Sequence, residues 1–390
     1  MDISTVQAAF EERFGSPPEL MVRAPGRINL IGEHTDYNGG YVLPAAIDRG
    51  ICLAASRRAD GRFAFWAADL GEFFLSEGGE TAFQPQMRWA NYLLGVVSEM
   101  RHLGLPVGGL NVAFGGDVPW GAGLSSSAAL GSAAALSVRA LYGLDLSRMD
   151  LVNLVQRSEN RFVGVPCGIM DMFASIMSRA GQALRLDCRD LSFERVPCEL
   201  PGCRLLLLDS GVKHALVDGE YRRRREECEA GVAALQGRFP EVLSLRDVSP
   251  QMLEALRHQM PDVVYRRCRF VVEEIGRVEQ ACAALGAGRW EELGQHMYAC
   301  HEGLDGLYGV CVPQTNFLVQ QARLWPGGLG ARQVGGGFGG CVLLLLRESA
   351  VEGLGAALRT AYEAAFGLQL AVYPVRLSDG AAVLTRREAS

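Results

Sequence analysis

The spacing of apolar and polar residues predicts helices and strands in an irregular order along the chain. Apolar residues three and four apart are typical of amphipathic helices, and short apolar or alternating runs are typical of strands. Helices are predicted at 5–14, 87–104, an Ala/Leu-rich segment ending near 142, 145–161, 168–179, 219–236, 263–286, 289–302, 315–324 and 349–366. Strands are predicted at 20–31, 41–56, 62–76, 112–114, 182–187, 203–209, 340–347 and 370–376. This irregular alternation favours an α+β fold over a regular parallel winding.

The length of the chain predicts more than one domain. At 390 residues it exceeds the usual size of a single core. We expect two domains that meet near residue 200, an N-terminal one over 1–200 and a C-terminal one over 201–390. The net charge is -6 and the sequence pI is near 5.7, so no basic field exists to attract nucleic acid or an anionic membrane.

Cysteine and lysine usage narrows the class of protein further. The eleven cysteines include no Cys-x-x-Cys pair, which disfavours a structural zinc site. The first residues lack a basic region followed by an apolar stretch, so we expect no secretion signal, reduced thiols and a cytoplasmic protein. Apolar runs such as 341–346 are far shorter than the roughly 20 residues that span a bilayer. Lys213 is the only lysine, which excludes a phosphate-binding lysine elsewhere.

The segment Gly26–Gly40 carries the densest chemistry in the sequence. It holds a guanidinium, two carboxylates and an imidazole within ten residues, beside apolar positions that predict a strand leading to a cleft. Carboxylates accept hydrogen bonds and arginine donates them, which suits a polyhydroxylated ligand. The alternative is a turn with solvated charges.

Two glycine-rich segments are candidate ligand loops. In 115–127, glycines precede serines at the start of a long helix, where unpaired amides and the helix dipole favour a phosphate. The alternative is that Ser125 to Ser127 only cap this helix. The second segment, Gly335–Gly340, has five glycines in six residues and runs into an apolar strand. Its alternative is a tight hairpin or packing against another backbone.

Two acidic residues are candidates for chemistry in mostly apolar or helical settings. Asp171 lies in the apolar segment 165–173, where an ionised carboxylate needs a partner, and Arg27 is the natural candidate. Glu159 lies twelve residues earlier on a predicted helix and is a candidate metal ligand. The alternative for Glu159 is a solvated helical side chain.

Three motifs, in order and at the right spacing, resemble those of the GHMP small-molecule kinases and, within them, the galactokinase family. They are Gly26–Gly40, Pro119–Leu130 and Gly335–Cys341. Further matches extend the resemblance over nearly the whole chain, at 88–92, 167–171, 187–191, 220–224 and 379–381. The resemblance implies a two-domain α+β GHMP kinase fold. Its N-terminal domain would be like domain 2 of ribosomal protein S5, its C-terminal domain ferredoxin-like, and its active site would lie between them.

The resemblance also implies an activity and residue roles. The activity is ATP-dependent phosphorylation of the anomeric hydroxyl of α-D-galactose by a monomer acting on small molecules. Arg27 and Asp171 would be catalytic, with Asp171 accepting the hydroxyl proton or stabilising its loss. Residues expected to bind the sugar are Glu33, His34, Asp36, Gly168 and Tyr221. Residues expected to wrap the phosphates are Gly121, Ala122, Gly123, Leu124, Ser125, Ser126 and Ser127. Ser127 and Glu159 would hold Mg²⁺, and Trp89 would line the adenine pocket unless it only packs in the core.

Some positions depart from the family pattern. Met172 stands where the family usually has Gln, Gly131 where it has Glu and Val334 where it has Thr, and 306–311 replaces an acidic segment. Since Met172 and Val334 are expected beside the site, two rival functions stay open. One is a kinase for another sugar, such as N-acetylgalactosamine or arabinose, and the other is a non-catalytic sensor of galactose and ATP. The charged run 222–229 is predicted to be an exposed helical face without chemistry.

Overall fold

Mixed helices and strands make up the chain, in a computed structural model that describes residues 1–212 and 217–386. Lys213 lies outside the described residues. The helices are α1 (Ile3–Phe14), α2 (Ala90–His102), α3 (Ser126–Tyr142), α4 (Arg148–Arg157), α5 (Met170–Met177), α6 (Val217–Gln236), α7 (Pro250–Ala255), α8 (Asp262–Gly286), α9 (Trp290–Gly303), α10 (Pro313–Leu324) and α11 (Leu354–Phe366). The strands are β1 (Leu20–Asn29), β2 (Tyr41–Val42), β3 (Pro44–Arg58), β4 (Phe63–Ala67), β5 (Glu72–Leu75), β6 (Gly109–Gly116), β7 (Gln182–Asp187), β8 (Phe193–Pro197), β9 (Cys203–Asp209), β10 (Gly328–Gln333), β11 (Cys341–Arg347), β12 (Ala371–Val375) and β13 (Ala382–Arg386).

A six-stranded sheet in the order β13-β1-β3-β6-β4-β5 is covered by helices on both faces. Successive side chains of a strand point to opposite faces. Leu20 and Val22 therefore join the large core that contains residues of α2, α3, α4 and α5, whereas Met21 joins a smaller core with Val6 and Phe10 of α1. Burial on both faces explains why β1 reads as an almost continuous apolar run.

A second sheet, in the order β10-β11-β9-β12, is antiparallel and also buried on both faces. Leu205 and Leu207 of β9 belong to the core that contains residues of α8 and α9, whereas Leu206 and Leu208 pack with residues of α10 and α11. The Leu-rich segments at 203–209 and 341–347 are therefore the central strands of this sheet, as their composition predicts.

Most predicted elements are confirmed, and several need correction. The strand predicted at 41–56 divides into β2 and β3, and the one at 62–76 divides into β4 and β5 around a turn. The helix predicted at 145–161 ends at Arg157 and continues as a π-helical turn over Ser158–Val163, and the one predicted at 349–366 begins only at Leu354. The pattern missed α7, β8, β10 and β13, which are short or rich in polar residues and glycine.

One strand from the C-terminal end of the described chain belongs to the sheet of the N-terminal half. Sheet membership changes between β8 and β9, close to the expected boundary at residue 200. However, β13 returns to the first sheet and pairs antiparallel with β1, with Leu20 opposite Arg386. A division into 1–200 and 201–390 would therefore separate β13 from the strand with which it pairs. All eleven cysteines are unbridged, and within 1–212 and 217–386 no helix has the length and apolar character needed to cross a bilayer.

Candidate active site

One cavity of about 390 Å³ brings the three motifs together. It is lined by residues of the Gly26–Gly40 motif, of the serine loop (115–127), of the glycine cluster (Gly335–Gly340) and of the segment 165–171. Expected site residues in its wall are Arg27, Glu33, His34, Asp36, Gly121, Gly123, Leu124, Ser125, Ser126, Ser127, Glu159, Gly168, Asp171 and Tyr221. Ala122 is buried directly behind the wall, where its carbonyl accepts the amide of Cys341 at 3.1 Å.

Arg27 and Asp171 form an ion pair at the centre of this cavity. Arg27 lies on β1 and Asp171 in the first turn of α5, where the helix dipole favours a carboxylate. Arg27 Nε donates to Asp171 Oδ1 at 2.8 Å, and Arg27 Nη1 donates to the Gly123 carbonyl at 2.6 Å. Arg27 therefore links Asp171, which lies 144 residues away in sequence, to the backbone of the serine loop.

The serine loop ends on a strained residue at the start of α3. Ser125 has φ 58°, in the left-handed region that L-residues rarely adopt, and its side chain makes no capping hydrogen bond. Its hydroxyl instead donates to Asp171 Oδ2 at 2.5 Å. The alternative interpretation, that Ser125 to Ser127 only cap this helix, is therefore wrong for Ser125, whose side chain leaves the first-turn amides of α3 unused.

The glycine cluster is both a hairpin and a wall of the cavity. It connects the antiparallel strands β10 and β11, as its alternative interpretation predicts. A Cβ added to Gly335 would lie 2.9 Å from Cα of Gly123, and one added to Gly340 would lie 2.9 Å from the Ala122 carbonyl oxygen. Glycine is needed here because the hairpin packs directly on the backbone of the serine loop.

Glu33 is held at one end of the cavity by a buried arginine. Arg332 on β10 is fully buried, and its Nη2 lies 2.8 Å from Glu33 Oε1, which also accepts the Gly335 amide at 3.1 Å. Arg332 Nε donates to the Leu30 carbonyl at 2.9 Å, and Nη2 donates to the Asn29 carbonyl. The Gly26–Gly40 motif is thus fixed by a residue from the other half of the chain.

His34 lies among aromatic rings with one nitrogen unpaired. Its Nδ1 is 2.9 Å from the hydroxyl of Tyr37, and its ring centroid is 4.7 Å from that of Tyr308 and 5.7 Å from that of Tyr221. Burial, then the charges of Arg224 and Arg332, lowers the pKa of His34 to about 3, so the imidazole is neutral. Its buried Nε2 has no hydrogen-bond partner among the described residues.

The position of the Asp36 carboxyl group requires a glycine at residue 168. A Cβ added to Gly168 would lie 1.7 Å from Asp36 Oδ2, so only glycine lets this carboxyl reach its place. Burial first, and the negative charge of Asp171 second, raise the pKa of Asp36 to about 7. Its protonation state is therefore responsive near neutral pH, which suits hydrogen bonding with hydroxyl groups.

Glu159 is buried rather than solvated, which contradicts the simpler interpretation of it. It lies in the π-helical turn after α4, and a local π-helix is frequent at functional sites. Burial and the charge of Asp171 raise the pKa of Glu159 to about 7, opposed by hydrogen bonds from Cys167 and Ser127. Its Oε1 is buried without a hydrogen-bond partner in the described part of the chain. A cation beside Ser127 would satisfy that oxygen.

Two residues expected near the site do not line this cavity. Trp89 is not in the cavity wall: it packs on Phe114 and donates its indole N–H to Glu72 at 2.5 Å. Met172 points into the large core away from the cavity, contrary to the expectation that it lies beside the site. Val334 does line the cavity, so it is the departure from the family pattern with direct access to a ligand.

Sequence reasoning missed the residues that support the site from behind. The run 222–229 was predicted to be an exposed face, yet Arg224 is buried and donates to the carbonyls of Tyr308 and Gly309, both at 2.9 Å. Arg332 was not singled out, although it lies just before the glycine cluster. Ala331 and Gln333 flank it on a strand that the apolar pattern missed, so no local signal marked Arg332 as a buried residue.

Comparison with known proteins agrees with this geometry. Residues 8–57 match the galactokinase galactose-binding signature, 91–179 the N-terminal domain of GHMP kinases and 281–364 their C-terminal domain. A galactokinase of Roseiflexus sp. is 42% identical over 97% of this chain and 97% of its own length. A galactokinase of Thermotoga neapolitana is 39% identical over 93% of this chain and 99% of its own length.

Solved structures give the same result. The crystal structure of Lactococcus lactis galactokinase complexed with galactose superposes with a TM-score of 0.94 at 32% identity, covering 98% of this chain and 99% of that one. A mevalonate kinase shares the fold at a TM-score of 0.62 and 19% identity, covering 92% of this chain and 99% of that one. The chain therefore belongs to the galactokinase family of GHMP kinases.

Proposed function

We propose that this protein transfers the γ-phosphoryl group of ATP to the anomeric hydroxyl of α-D-galactose, giving galactose 1-phosphate and ADP. The observation that carries the proposal is the Arg27–Asp171 pair, 2.8 Å apart, beside the helix-initiating serine loop in one cavity. The names of the relatives and the galactose bound to the Lactococcus lactis enzyme support the choice of sugar.

The residues of the cavity divide into a sugar end and a phosphate end. Glu33, His34, Asp36 and Tyr221, with Gly168 making room for Asp36, supply hydrogen-bonding groups for a polyhydroxylated ligand. Residues 121–127 supply backbone amides and the positive end of the α3 dipole for phosphates. The adenine would lie beyond the serine loop, and a role for Trp89 there stays a prediction.

At the boundary of the two ends, Asp171 acts on the sugar hydroxyl. Its oxygens already accept from Arg27 and Ser125, but each carboxylate oxygen has a second acceptor position. The anomeric oxygen attacks the γ-phosphorus and the bond from phosphorus to the ADP oxygen breaks. The negative charge of Asp171 stabilises the loss of the hydroxyl proton, which passes to Asp171 late in the step. Arg27 stabilises the negative charge that develops at the attacking oxygen, so alignment and charge stabilisation provide most of the catalysis.

The same cavity fits Mg²⁺ at Glu159 and Ser127. Magnesium in kinases is usually held by one or two oxygen side chains and the substrate phosphates. The unpaired buried oxygen of Glu159 and its raised pKa match a carboxylate that is satisfied only when a cation is present. Bound there, the ion would neutralise charge on the β- and γ-phosphates. Ser127 and Glu159 are its proposed ligands.

The test is an ADP-release assay with ATP, magnesium and a panel of free sugars. We expect galactose to have the highest kcat/KM, above N-acetylgalactosamine and arabinose. If another sugar ranks first, Val334 is the position that would account for it. Asp171→Asn should lower the single-turnover rate by about 10²–10⁴-fold. The matched control Asp190→Asn, on an exposed turn, should leave the rate unchanged.

Two results would contradict the proposal. Faster turnover of another sugar would favour the rival kinase, and galactose binding without ADP release would favour the sensor. Substantial single-turnover phosphorylation by Asp171→Asn would remove both proposed roles of that residue.

The net charge of -6 and the unbridged cysteines support action on small molecules in the cytoplasm, without nucleic acid or membrane. We further propose that the protein acts as a monomer.

A further inference from the structure

A chain of hydrogen bonds runs from the sugar end of the cavity into the protein core. His34 Nδ1 lies 2.9 Å from the Tyr37 hydroxyl, which lies 2.7 Å from the Tyr308 hydroxyl. The Tyr308 hydroxyl in turn lies 3.3 Å from the Cys228 thiol. Neither Tyr37 nor Tyr308 is in the cavity wall, so neither contacts a ligand there directly.

We propose that Tyr37 and Tyr308 are positioning residues that hold His34 with its single ring hydrogen on Nε2, so that His34 donates to a sugar hydroxyl. This inference rests on the proposed function for the identity of the ligand. It concerns how the chain presents His34, which neither the sequence motif nor the similarity to known proteins specifies.

The first step is that the imidazole carries one hydrogen. Burial and the nearby Arg224 and Arg332 keep the pKa of His34 far below neutral, so the ring is uncharged under working conditions. In a neutral imidazole one nitrogen donates and the other accepts. The hydrogen-bond partner of Nδ1 therefore decides what Nε2 can do.

The second step is the direction of the hydrogen-bond chain. If the hydroxyl hydrogens point toward His34, the Cys228 thiol donates to Tyr308, Tyr308 to Tyr37, and Tyr37 to Nδ1. Every hydrogen of the chain is then used, and the strong imidazole acceptor ends it. In the opposite direction the chain ends on a thiol, which is a weak acceptor, and the strong imidazole acceptor at Nδ1 is lost.

The cavity side favours the same direction. Nε2 is buried and unpaired, and the neighbouring motif residues Glu33 and Asp36 bring carboxyl groups to the same cavity. A sugar hydroxyl that gives its only hydrogen to a carboxylate also needs a donor for its oxygen, and Nε2–H supplies one.

Tyr308 is itself fixed from the C-terminal half of the chain. It ends a π-helical turn over Leu304–Tyr308, its carbonyl accepts from Arg224, and its ring packs 4.8 Å from that of Phe270. The hydroxyl that orients His34 is therefore placed by packing outside the sugar motif.

The tautomer can be read directly from nitrogen chemical shifts of ¹⁵N-histidine-labelled full-length protein without ligands. We expect a pyridine-type Nδ1 and a pyrrole-type Nε2–H for His34. Tyr37→Phe and Tyr308→Phe should each give a mixture of tautomers. Each should raise the KM for galactose about fivefold, the value of one neutral hydrogen bond, with kcat and the KM for ATP unchanged.

Tyr362→Phe is the matched control. Tyr362 is as buried as Tyr308 and donates to the Ser210 carbonyl at 2.7 Å, but it lies in a separate core, so its loss should change neither the tautomer nor the galactose KM. A wild-type Nδ1–H tautomer, or a tautomer unaffected by both tyrosine variants, would overturn the inference. Failure of the wild type to phosphorylate galactose would refute the proposed function instead, and the nitrogen shifts would still decide the inference.

Discussion

Replacing Arg332 by glutamine should destabilise the protein severely and weaken the binding of galactose at the sugar end of the cavity. The Arg332 side chain is 0% exposed, and its nearest charge is Glu33 at 2.8 Å. It also donates to the carbonyls of Leu30, Asn29 and Gln333. The substitution leaves Glu33 as an uncompensated buried charge and leaves backbone carbonyls without donors.

The expected loss follows from these contacts. Breaking a buried ion pair by removing one partner costs about 3–5 kcal/mol. Each buried carbonyl left unpaired adds about 1–3 kcal/mol, but glutamine and entering water recover part of that. A net loss of about 4 kcal/mol in unfolding free energy is expected, which is a large share of the roughly 5–15 kcal/mol that stabilises a typical protein.

Arg347→Gln is the matched control on the adjacent strand β11. Arg347 pairs with Glu291, and their side chains are 41% and 63% exposed. Its removal should therefore cost only about 0–1 kcal/mol. Urea unfolding followed by circular dichroism measures both losses of unfolding free energy, and titration calorimetry measures the affinity for galactose. Equal losses in the two variants would refute the argument that burial makes the Arg332–Glu33 pair important.

Three further predictions concern the cavity itself. Gly168→Ala should raise the galactose KM at least about tenfold at little change in the ATP KM, because its Cβ would overlap Asp36, and steady-state kinetics measures both. Glu159→Gln should weaken magnesium activation, seen as a higher magnesium concentration for half-maximal rate, while removing a buried acid and so raising the melting temperature without magnesium. His34→Asn, which tolerates the φ of 61°, tests pH dependence. Since the pKa of His34 is about 3 when folded against 6.5 in the reference state, stability from this site is complete above pH 6.5 and falls below it. Relative to the variant, the wild type should lose about 2 kcal/mol between pH 6.5 and pH 5 in urea unfolding, and a constant difference would contradict the neutral histidine.

Much of the fold and the wall of the site could be predicted from local sequence. Apolar runs such as Cys203–Asp209 and Cys341–Arg347 became the central strands, because burying them requires a sheet covered on both faces. The serine loop and the glycine cluster could be recognised because a helix start favours serine and a close approach of two backbones requires glycine. Both preferences appear directly in the local sequence. The pairing of Arg27 with Asp171 followed from chemistry, since a carboxylate among apolar residues needs a cation.

Only tertiary packing decided which other polar residues matter. Arg224 and Arg332 look like any of the many arginines in this sequence, and their burial depends on strands and helices far away in the chain. Met172 illustrates the reverse, since its motif places it near the site but packing turns it into the core. By itself, the sequence determined which groups are available for chemistry. The folded structure decided their solvation, pKa and hydrogen-bond direction, because those properties depend on the atoms that long-range contacts bring around each group.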